Sequence, residues 1–393
     1  MKSPWNVSPL HAALFLAALA ASACVTATAW SAAAEVGENT PADPASCRQC
    51  HRERYDGWSR TAHARSGSCL SCHPSEALHP ASNGSSGSTA QTTENLRRLY
   101  DPQSCARCHE SEYREWQQSA HHEPVPYTRD EIAPELIGDC VKCHNAAGHA
   151  AVLRSGKDFA TAKGPNAAAA SPGVTCVACH DPHTAMPFLL RVGSPAKACD
   201  TCHGIKWQTL ALNGTGGQRY SDSSYADVAR SPHNTGDRCV GCHMARQPGL
   251  AAGGHTLRMR DGQGRPLTAP CLSCHPGLRD FNLNGKQEEV KGLLSSLEEM
   301  LKAHNGGELP GFQPGKCNRC HRGGTLPFKD DPQGLLEQAF QNYRFFLNDR
   351  SFGVHNPTYT VKLLQDSKRH IQQGYGDSAA AGENDQACAT CGH

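Results

Sequence analysis

The sequence predicts a mainly α-helical chain with extensive loops and a helical segment near its C-terminal end. Three observations predict this class. Only 38% of the 393 residues are hydrophobic and 6% aromatic, while 37 glycines and 25 prolines interrupt regular structure. Of the 21 cysteines, 18 recur in one short motif along the chain. Long amphipathic patterns are confined to the last third. Bound groups must therefore replace much of a conventional core.

The recurring motif is Cys-x-x-Cys-His, which occurs nine times. Two thiols at this spacing can form thioethers with the two vinyl groups of one porphyrin, and the next histidine is held under the ring, where it can ligate iron. A zinc clip, a disulfide or a redox dithiol is the alternative for a single copy, but nine copies with the histidine favour haem c. Haem sites 1 to 9, in chain order, are Cys47, Cys50 and His51; Cys69, Cys72 and His73; Cys105, Cys108 and His109; Cys140, Cys143 and His144; Cys176, Cys179 and His180; Cys199, Cys202 and His203; Cys239, Cys242 and His243; Cys271, Cys274 and His275; and Cys317, Cys320 and His321.

These nine sites predict a haem-organised multihaem cytochrome c fold. Covalently held porphyrins supply apolar surface that the polypeptide lacks, so we expect an apoprotein that folds only with its cofactor. The formal net charge is +1. Because each haem adds two propionates, we expect an acidic holoprotein surface, which argues against nucleic acid as a partner.

The first 34 residues predict export. Lys2 precedes the apolar run Leu10–Ala23, and small residues follow, as in a signal peptide. The run is short for a transmembrane helix. Haem attachment outside the cytoplasmic membrane agrees with a location in the periplasm or at the outer cell surface. Lipidation at Cys24, which would anchor the chain to a membrane, stays open beside cleavage near Ala23 or Ala34.

Composition divides the remaining chain into five parts. The tail carries Cys388 and Cys391, but the extra Gly392 moves His393 out of register. A disulfide or a disordered pair is therefore favoured over a tenth haem. The parts are a dihaem unit at 35–79, a linker rich in serine and glycine at 80–93, haem sites 3 to 8 at 94–285, a helical region with haem site 9 at 286–373, and a tail at 374–393.

An internal repeat follows haem sites 1 and 3. Both segments read His-x3-Tyr-x2-Trp-x2-Thr/Ser-Ala-His and end at His63 and His121. A weaker copy, Tyr-x2-Val-x2-Ser-Pro-His, ends at His233. This periodicity predicts a short helix with one face on a porphyrin. Its last histidine is then placed to ligate a neighbouring haem.

Eleven histidines lie outside the motifs, the signal peptide and the tail. Nine low-spin haems need nine distal ligands, so this supply permits bis-histidine ligation throughout, with methionine as a minor alternative. Bis-histidine haems suit electron relay, whereas a haem without a distal ligand is open to chemistry. His79 and one of the neighbours His121 and His122 are the most dispensable. The predicted distal ligands are His63, His121, His149, His183, His233, His255, His304, His355 and His370.

Amphipathic patterns predict three helices near the C-terminal end. Apolar residues recur at helical spacing over 290–301 and over 336–347. A third helix is predicted over Thr358–Gln372, where Asn356-Pro357 provides a helix start. A helical cap and a homodimer interface are the two interpretations of these helices.

Two segments resemble known families. The segment Cys47–His73, with its repeat and second haem site, resembles the cytochrome c554 family. The segment Arg350–Thr358, which reads Arg-Ser-Phe-Gly-Val-His-Asn-Pro-Thr, resembles the group of cytochrome c nitrite reductases and octahaem hydroxylamine oxidoreductases. The resemblance implies closely stacked haems that form a wire, a dimer through the C-terminal helices, and distal-ligand roles for His63, His121 and His355. The Cys-x-x-Cys-Lys motif of a nitrite-reducing haem is absent from the sequence.

Two functions from different classes fit these features, and we favour the first. A multihaem electron carrier of the bacterial envelope would accept electrons from a quinol oxidase or another cytochrome and pass them on. A redox enzyme would act on nitrite, hydroxylamine, tetrathionate or sulfite at one open haem, with acid–base groups such as Arg97, Arg98, Tyr127 or His122 beside it. A structural filament of cytochromes is a third reading.

Overall fold

The computed structural model describes residues 44–73, 100–123, 142–155, 173–204, 206–236, 238–310, 328 and 330–376. Several predicted features lie outside these residues: the signal peptide with Cys24, the linker, His79, Arg97, Arg98, Tyr127, Cys140, haem site 9 at Cys317 to His321, and the tail with Cys388 and Cys391.

The described residues are mainly helical with extensive loops, which confirms the predicted fold class. Within them, extended pairing is limited to two isolated bridges, His180 with Leu190 and Arg260 with Pro266. Short 3₁₀ helices span Cys69–Ser71, Pro187–Leu189, Gly254–Thr256, Ala269–Cys271 and Leu283–Gly285. The α-helices, α1 to α13 in chain order, are Pro44–Arg48, Arg52–Trp58, His63–Ser66, Gln103–Ala106, Glu110–Gln117, Ala146–Ser155, Cys176–Cys179, Pro195–His203, Trp207–Asn213, Arg238–His243, Lys286–Ala303, Leu335–Asp349 and Pro357–Tyr375.

The helices around haem sites 1 to 8 are short and bury little apolar surface. The longest of them, α6, has 10 residues, and isolated helices below about 12–15 residues are marginal in water. The apolar cluster in this part of the described chain consists of Tyr100 and the small residues Ala146, Ala147, Ala150 and Ala178. The buried members of this cluster include no large aliphatic side chain, which agrees with the expectation that porphyrins complete this part.

The three C-terminal helices pack together around a conventional core. Helix α11 has 18 residues and buries a stripe at Val290, Leu294, Leu297 and Leu301, as the sequence pattern predicts. Helices α12 and α13 contribute further aromatic and aliphatic side chains to the same cluster. None of the helices in the described ranges is long and apolar enough to cross a lipid bilayer.

Helix α13 begins where the sequence predicts. The Asn356 side chain accepts a hydrogen bond from the Tyr359 backbone N–H at 3.2 Å, and Pro357 occupies the first helical position. An asparagine cap satisfies a backbone N–H that has no partner within the helix. His355 directly precedes the capping residue, so the cap fixes the position of that histidine relative to the core.

The predicted short helix of the internal repeat is present in two copies and wrong for the third. The first two copies form α2 and α5. In the third copy, Tyr225 enters the C-terminal core, where its hydroxyl donates to an oxygen of Asp366 at 2.7 Å. The residues that follow Tyr225 therefore adopt turns.

Candidate haem sites

Six motif histidines lie opposite a histidine from elsewhere in the chain. Two imidazoles bound to one metal ion, each at about 2 Å, have ring centres about 6 Å apart. The observed ring-centre distances therefore fit iron between each pair. The pairs are His73 with His183 (5.7 Å), His109 with His63 (6.1 Å), His203 with His121 (6.2 Å), His180 with His255 (6.3 Å), His275 with His233 (6.3 Å) and His243 with His355 (6.4 Å).

Two other predicted distal histidines make hydrogen bonds through both ring nitrogens. His149 Nδ1 lies 2.7 Å from the Lys142 carbonyl oxygen, and its Nε2 lies 3.3 Å from a threonine hydroxyl. His370 Nδ1 lies 2.8 Å from the Asp366 carbonyl oxygen, and its Nε2 lies 3.0 Å from a carboxylate oxygen of Asp222. Neither ring faces a motif histidine among the described residues.

His304 differs from these two because it has a buried, unused nitrogen. Its Nε2 atom has no hydrogen-bond partner within the described part of the chain. Its ring lies 5.8 Å from that of Tyr375, at the C-terminal end of α11. A buried nitrogen without a partner costs free energy unless something binds it, which fits a metal-ligand role.

Backbone carbonyl groups orient two of the motif histidines. His180 Nδ1 lies 2.8 Å from the Phe188 carbonyl oxygen, and His243 Nδ1 lies 2.9 Å from that of Leu257. A carbonyl can only accept, so Nδ1 carries the proton and Nε2 is left for iron. Phe188 and Leu257 both have φ of 56°. This left-handed conformation costs a non-glycine residue roughly 1–2 kcal/mol, and here it aims the carbonyl at the ligand histidine.

Carboxylates lie beside three of the histidines opposite the motifs. Asp181 lies 3.0 Å from His183 Nδ1 and Asp349 lies 2.6 Å from His355 Nδ1. Glu115 lies farther away, 3.6 Å from Nδ1 of His255. Sequence reasoning missed all three carboxylates. Asp181, two residues before His183, carried the one local signal, because an aspartate at this spacing can turn back onto the backbone.

Side-chain acceptors also hold the backbone N–H groups of these histidines. This contact explains the hydroxyl residue in the internal repeat, which is buried in all three copies. In the second and third copies it accepts from the N–H two residues later, as in an Asx- or ST-turn. The contacts are His121 to Ser119 (3.2 Å), His183 to Asp181 (3.0 Å), His233 to Ser231 (3.1 Å), His255 to Glu115 (2.9 Å) and His355 to Ser351 (3.2 Å).

Burial keeps several of these imidazoles neutral. It lowers the pKa of His121 to about 4, with a further contribution from the nearby His203. Burial likewise lowers the pKa of His63, His73 and His243. Metal ions bind the neutral imidazole. These rings are therefore in the metal-binding form at neutral pH.

The motif thiols form a continuous series of neighbours from haem site 1 to haem site 8. Helix α8 ends at the histidine of haem site 6. It also packs against α10, which carries haem site 7. Among the described thiols, Cys143 of haem site 4 lies beside Cys202 of haem site 6. Side-chain contacts join Cys47 with Cys69, Cys105 with Cys176, Cys143 with Cys202 and Cys199 with Cys239. Electrostatic interactions link Cys72 with Cys105, Cys179 with Cys199 and Cys242 with Cys271.

Haem site 4 lacks a paired histidine in the described part of the chain. No other ring there lies opposite His144, although burial lowers the pKa of His144 as it does for His73 and His243. Residues 124–141 and 156–172, on either side of this motif, lie outside the description. The pairing pattern therefore sets haem site 4 apart from haem sites 2, 3, 5, 6, 7 and 8.

Gly57→Ala is expected to destabilise the protein by about 1–3 kcal/mol. Gly57 is buried in α2, and an added Cβ would overlap the carbonyl group of His183. The substitution must displace His183 from His73. Thermal unfolding and the low-spin electron paramagnetic resonance (EPR) signal of haem site 2 measure the two effects.

Gly292→Ala is the matched control for Gly57→Ala. Gly292 lies in α11, and an added Cβ would meet no atom within 4 Å. Alanine there should stabilise the protein by about 0.5–1 kcal/mol, because glycine weakens a helix interior. A Gly57→Ala variant as stable as the wild type, with an unchanged signal, would contradict the packing of α2 against His183.

One family model and two solved structures are similar to parts of this chain. Residues 125–204 match the family described as cytochrome c7 and related cytochrome c. The outer cell wall cytochrome OcwA has a TM-score of 0.46 at 23% identity, with 66% of this chain and 50% of that chain covered. The undecahaem cytochrome from the S-layer of Carboxydothermus ferrireducens has a TM-score of 0.46 at 20% identity, with 78% and 50% covered. This chain thus spans about half the length of either structure. No curated protein matches the chain.

The family match supports the predictions of covalent haem c and of electron transfer. It covers haem sites 4 to 6, whose motifs end at His144, His180 and His203. The resemblance to cytochrome c554 and to the hydroxylamine oxidoreductase group stays a prediction, because none of the matches is to those families.

Proposed function

We propose that this chain is an exported c-type cytochrome that carries nine covalently bound haems and transfers electrons between them. The eighteen motif cysteines attach the porphyrins, and the motif histidines are the proximal ligands. Haem c supplies the one-electron chemistry. The polypeptide positions the ligands, sets the polarity around them and excludes water.

The observation that carries this proposal is the set of six opposed histidine pairs. We assign His63, His121, His183, His233, His255 and His355 as distal ligands on their ring distances of 5.7–6.4 Å. Two strong-field imidazoles give a low-spin haem with no position for substrate, which suits electron relay.

The remaining histidines are assigned on their hydrogen bonds. We assign His304 to haem site 9, because its Nε2 is buried without a partner and six residues separate it from the undescribed segment that holds this motif. We leave His149 and His370 outside the ligand set, because iron at Nε2 would displace the hydrogen bonds that they make.

The order of adjacent thiols supports a route for electrons. Each thiol marks the edge of its porphyrin, so sites whose thiols are adjacent hold haems close to each other. The series runs through haem sites 1, 2, 3, 5, 6, 7 and 8, with haem site 4 beside haem site 6. Redox partner proteins, such as a quinol oxidase or another cytochrome, would exchange electrons with exposed haems of this series. The homodimer through the C-terminal helices and lipidation at Cys24 stay predictions.

A second function is favoured by one observation: within the described residues, no other histidine ring lies opposite His144. A haem without a distal histidine at haem site 4 is open to a small molecule, and the chain would then be a redox enzyme that acts on nitrite, hydroxylamine, tetrathionate or sulfite. The haem of site 6, which lies beside haem site 4, would supply electrons to the haem of site 4. The EPR spectrum of the oxidised protein separates the two functions. A stoichiometric high-spin signal that shifts with nitrite or hydroxylamine would overturn the pure carrier.

His355→Ala tests the ligand assignment. Removing the distal imidazole of haem site 7 is expected to convert one low-spin ferric haem to high spin, without changing the haem count. EPR and mass measurement of the purified protein report the two quantities.

His122→Ala is the control for His355→Ala. His122 is exposed and lies on the edge of Trp116, with ring centres 4.8 Å apart. The His122→Ala substitution should leave the spin state of every haem as it is in the wild type. An all-low-spin His355→Ala variant would mean that another residue ligates haem site 7.

A further inference from the structure

The three carboxylates beside distal histidines differ in their charged neighbours. Asp181 forms ion pairs with Arg54 at 3.2 Å and with Arg191 at 3.1 Å. Glu115 forms a two-point ion pair with Arg246. In both cases, arginine offsets the negative charge of the carboxylate, so less of that charge acts on the neighbouring imidazole.

Asp349 has no such neutralisation. Its side chain is 1% exposed and lies 2.6 Å from His355 Nδ1. Its other oxygen accepts from the Ser351 hydroxyl. Among the described residues, no lysine or arginine forms an ion pair with this carboxylate. Its negative charge therefore acts on His355 in a low-dielectric environment, where charges interact more strongly than in water.

The two rings of haem site 7 are both held by acceptors. Nδ1 of His243 faces the Leu257 carbonyl oxygen at 2.9 Å, opposite the Asp349 carboxylate on the His355 side. An acceptor at Nδ1 makes an imidazole a stronger donor to its metal, and a carboxylate does this more than a carbonyl. Stronger donation and a nearby negative charge both stabilise ferric over ferrous iron. Haem site 2 combines its carboxylate with Nδ1 of His73, which has no hydrogen-bond partner among the described residues.

We propose that Asp349 is a positioning residue that gives haem site 7 the lowest reduction potential of haem sites 2, 5 and 7. The inference rests on the proposed function, because it acts through His355 as an iron ligand. Reduction of haem site 7 adds one electron, supplied by the neighbouring haem sites 6 or 8, and no bond is formed or broken. Of the three haem sites with a carboxylate beside the distal histidine, haem site 7 then gives up its electron most readily.

Asp349→Asn tests this inference, with Asp181→Asn as the matched variant. Asparagine keeps the shape and an acceptor oxygen but removes the charge. We expect Asp349→Asn to shift the ferric-to-ferrous ratio of one haem toward ferrous by about tenfold at a fixed potential, which is about 59 mV for one electron. The shift in Asp181→Asn should be several-fold smaller, because Arg54 and Arg191 already offset that charge. Potentiometric titration followed by EPR measures both.

Two further variants separate the possible failures. If His355→Ala leaves haem site 7 low spin, the ligand assignment fails and the proposed function is at fault. If His355→Ala gives one high-spin haem but Asp349→Asn moves no potential, or no more than Asp181→Asn does, the inference alone is overturned. Asp349→Glu restores the charge and should return the potential toward that of the wild type. A role in folding alone would leave the potentials of folded variants unchanged.

Discussion

A chain produced without haem is expected to keep helices α11, α12 and α13 and to lose the structure of the part that carries haem sites 1 to 8. The three helices have 18, 15 and 19 residues and share one core. The side chains of Phe340, Phe346 and Tyr359 are fully buried in this core. Burying such side chains contributes about 1.5–3 kcal/mol each. Side chains of the polypeptide form this core, so we narrow the expectation that the apoprotein folds only with its cofactor to the part before α11.

The part before α11 has no comparable core. Four of the five buried residues in its separate apolar cluster are alanines, and its helices have 4 to 10 residues. Helices of this length are unstable unless they pack against something. In the proposed holoprotein the porphyrins would provide that surface.

Hydrogen exchange followed by mass spectrometry measures this difference. In the haem-free chain, peptides from 286–303, 335–349 and 357–375 should exchange slowly. Peptides from 44–73 and 100–123 should exchange at the rate of an unfolded chain. The holoprotein is the control and should protect both parts. If peptides from both parts of the haem-free chain exchanged slowly, the N-terminal part would fold without its cofactor.

The C-terminal helices were predictable because their signal is local. The stripe at Val290, Leu294, Leu297 and Leu301 repeats at helical spacing, and it is buried as a helix face requires. The cap at Asn356 depends on three consecutive positions of the chain. The third copy of the repeat shows where local reasoning ended, because Tyr225 is held by Asp366 from a distant helix.

The haem sites were predictable in type but not in pairing. The motif and the repeat identify His63 and His121 as candidate ligands from a few neighbouring residues. Which motif histidine each faces depends on how loops far apart in sequence come together, and spacing does not encode that. The acceptors at Nδ1 have the same limitation. The left-handed conformation that aims the Leu257 carbonyl at His243 has no signature in the side chain of leucine.

Replacing Phe340 by alanine is expected to lower the free energy of unfolding by about 3–5 kcal/mol. Phe340 is fully buried in α12, with its ring 5.8 Å from Phe328 and 6.4 Å from Tyr343. The substitution leaves a cavity between helices that pack on both sides. Domains are stable by about 5–15 kcal/mol in total, so this loss is a large share. Denaturant titration with circular dichroism measures it.

Phe188→Ala makes the same chemical change at an exposed position. The Phe188 side chain is 75% exposed, and its backbone carbonyl, which faces His180, is kept. Its effect should stay within about 0.5 kcal/mol, as for surface substitutions in general. Equal losses for the two variants would contradict the assignment of Phe340 to the core.

The Phe340 variant also connects the core to the haems. Helix α12 ends at Asp349, and the loop after it supplies His355 and the Val354 carbonyl oxygen, which lies 2.6 Å from His233 Nδ1. The proposed distal ligand of haem site 7, and the support of the proposed distal ligand of haem site 8, therefore come from a turn anchored by α12 and α13. As denaturant unfolds these helices, the low-spin signals of haem sites 7 and 8 should be lost together with helicity, and at lower denaturant in Phe340→Ala than in the wild type. The signals of haem sites 2 and 3, whose proposed distal ligands His183 and His63 lie outside this unit, should persist to higher denaturant, because covalent attachment and local contacts would hold them independently of α12.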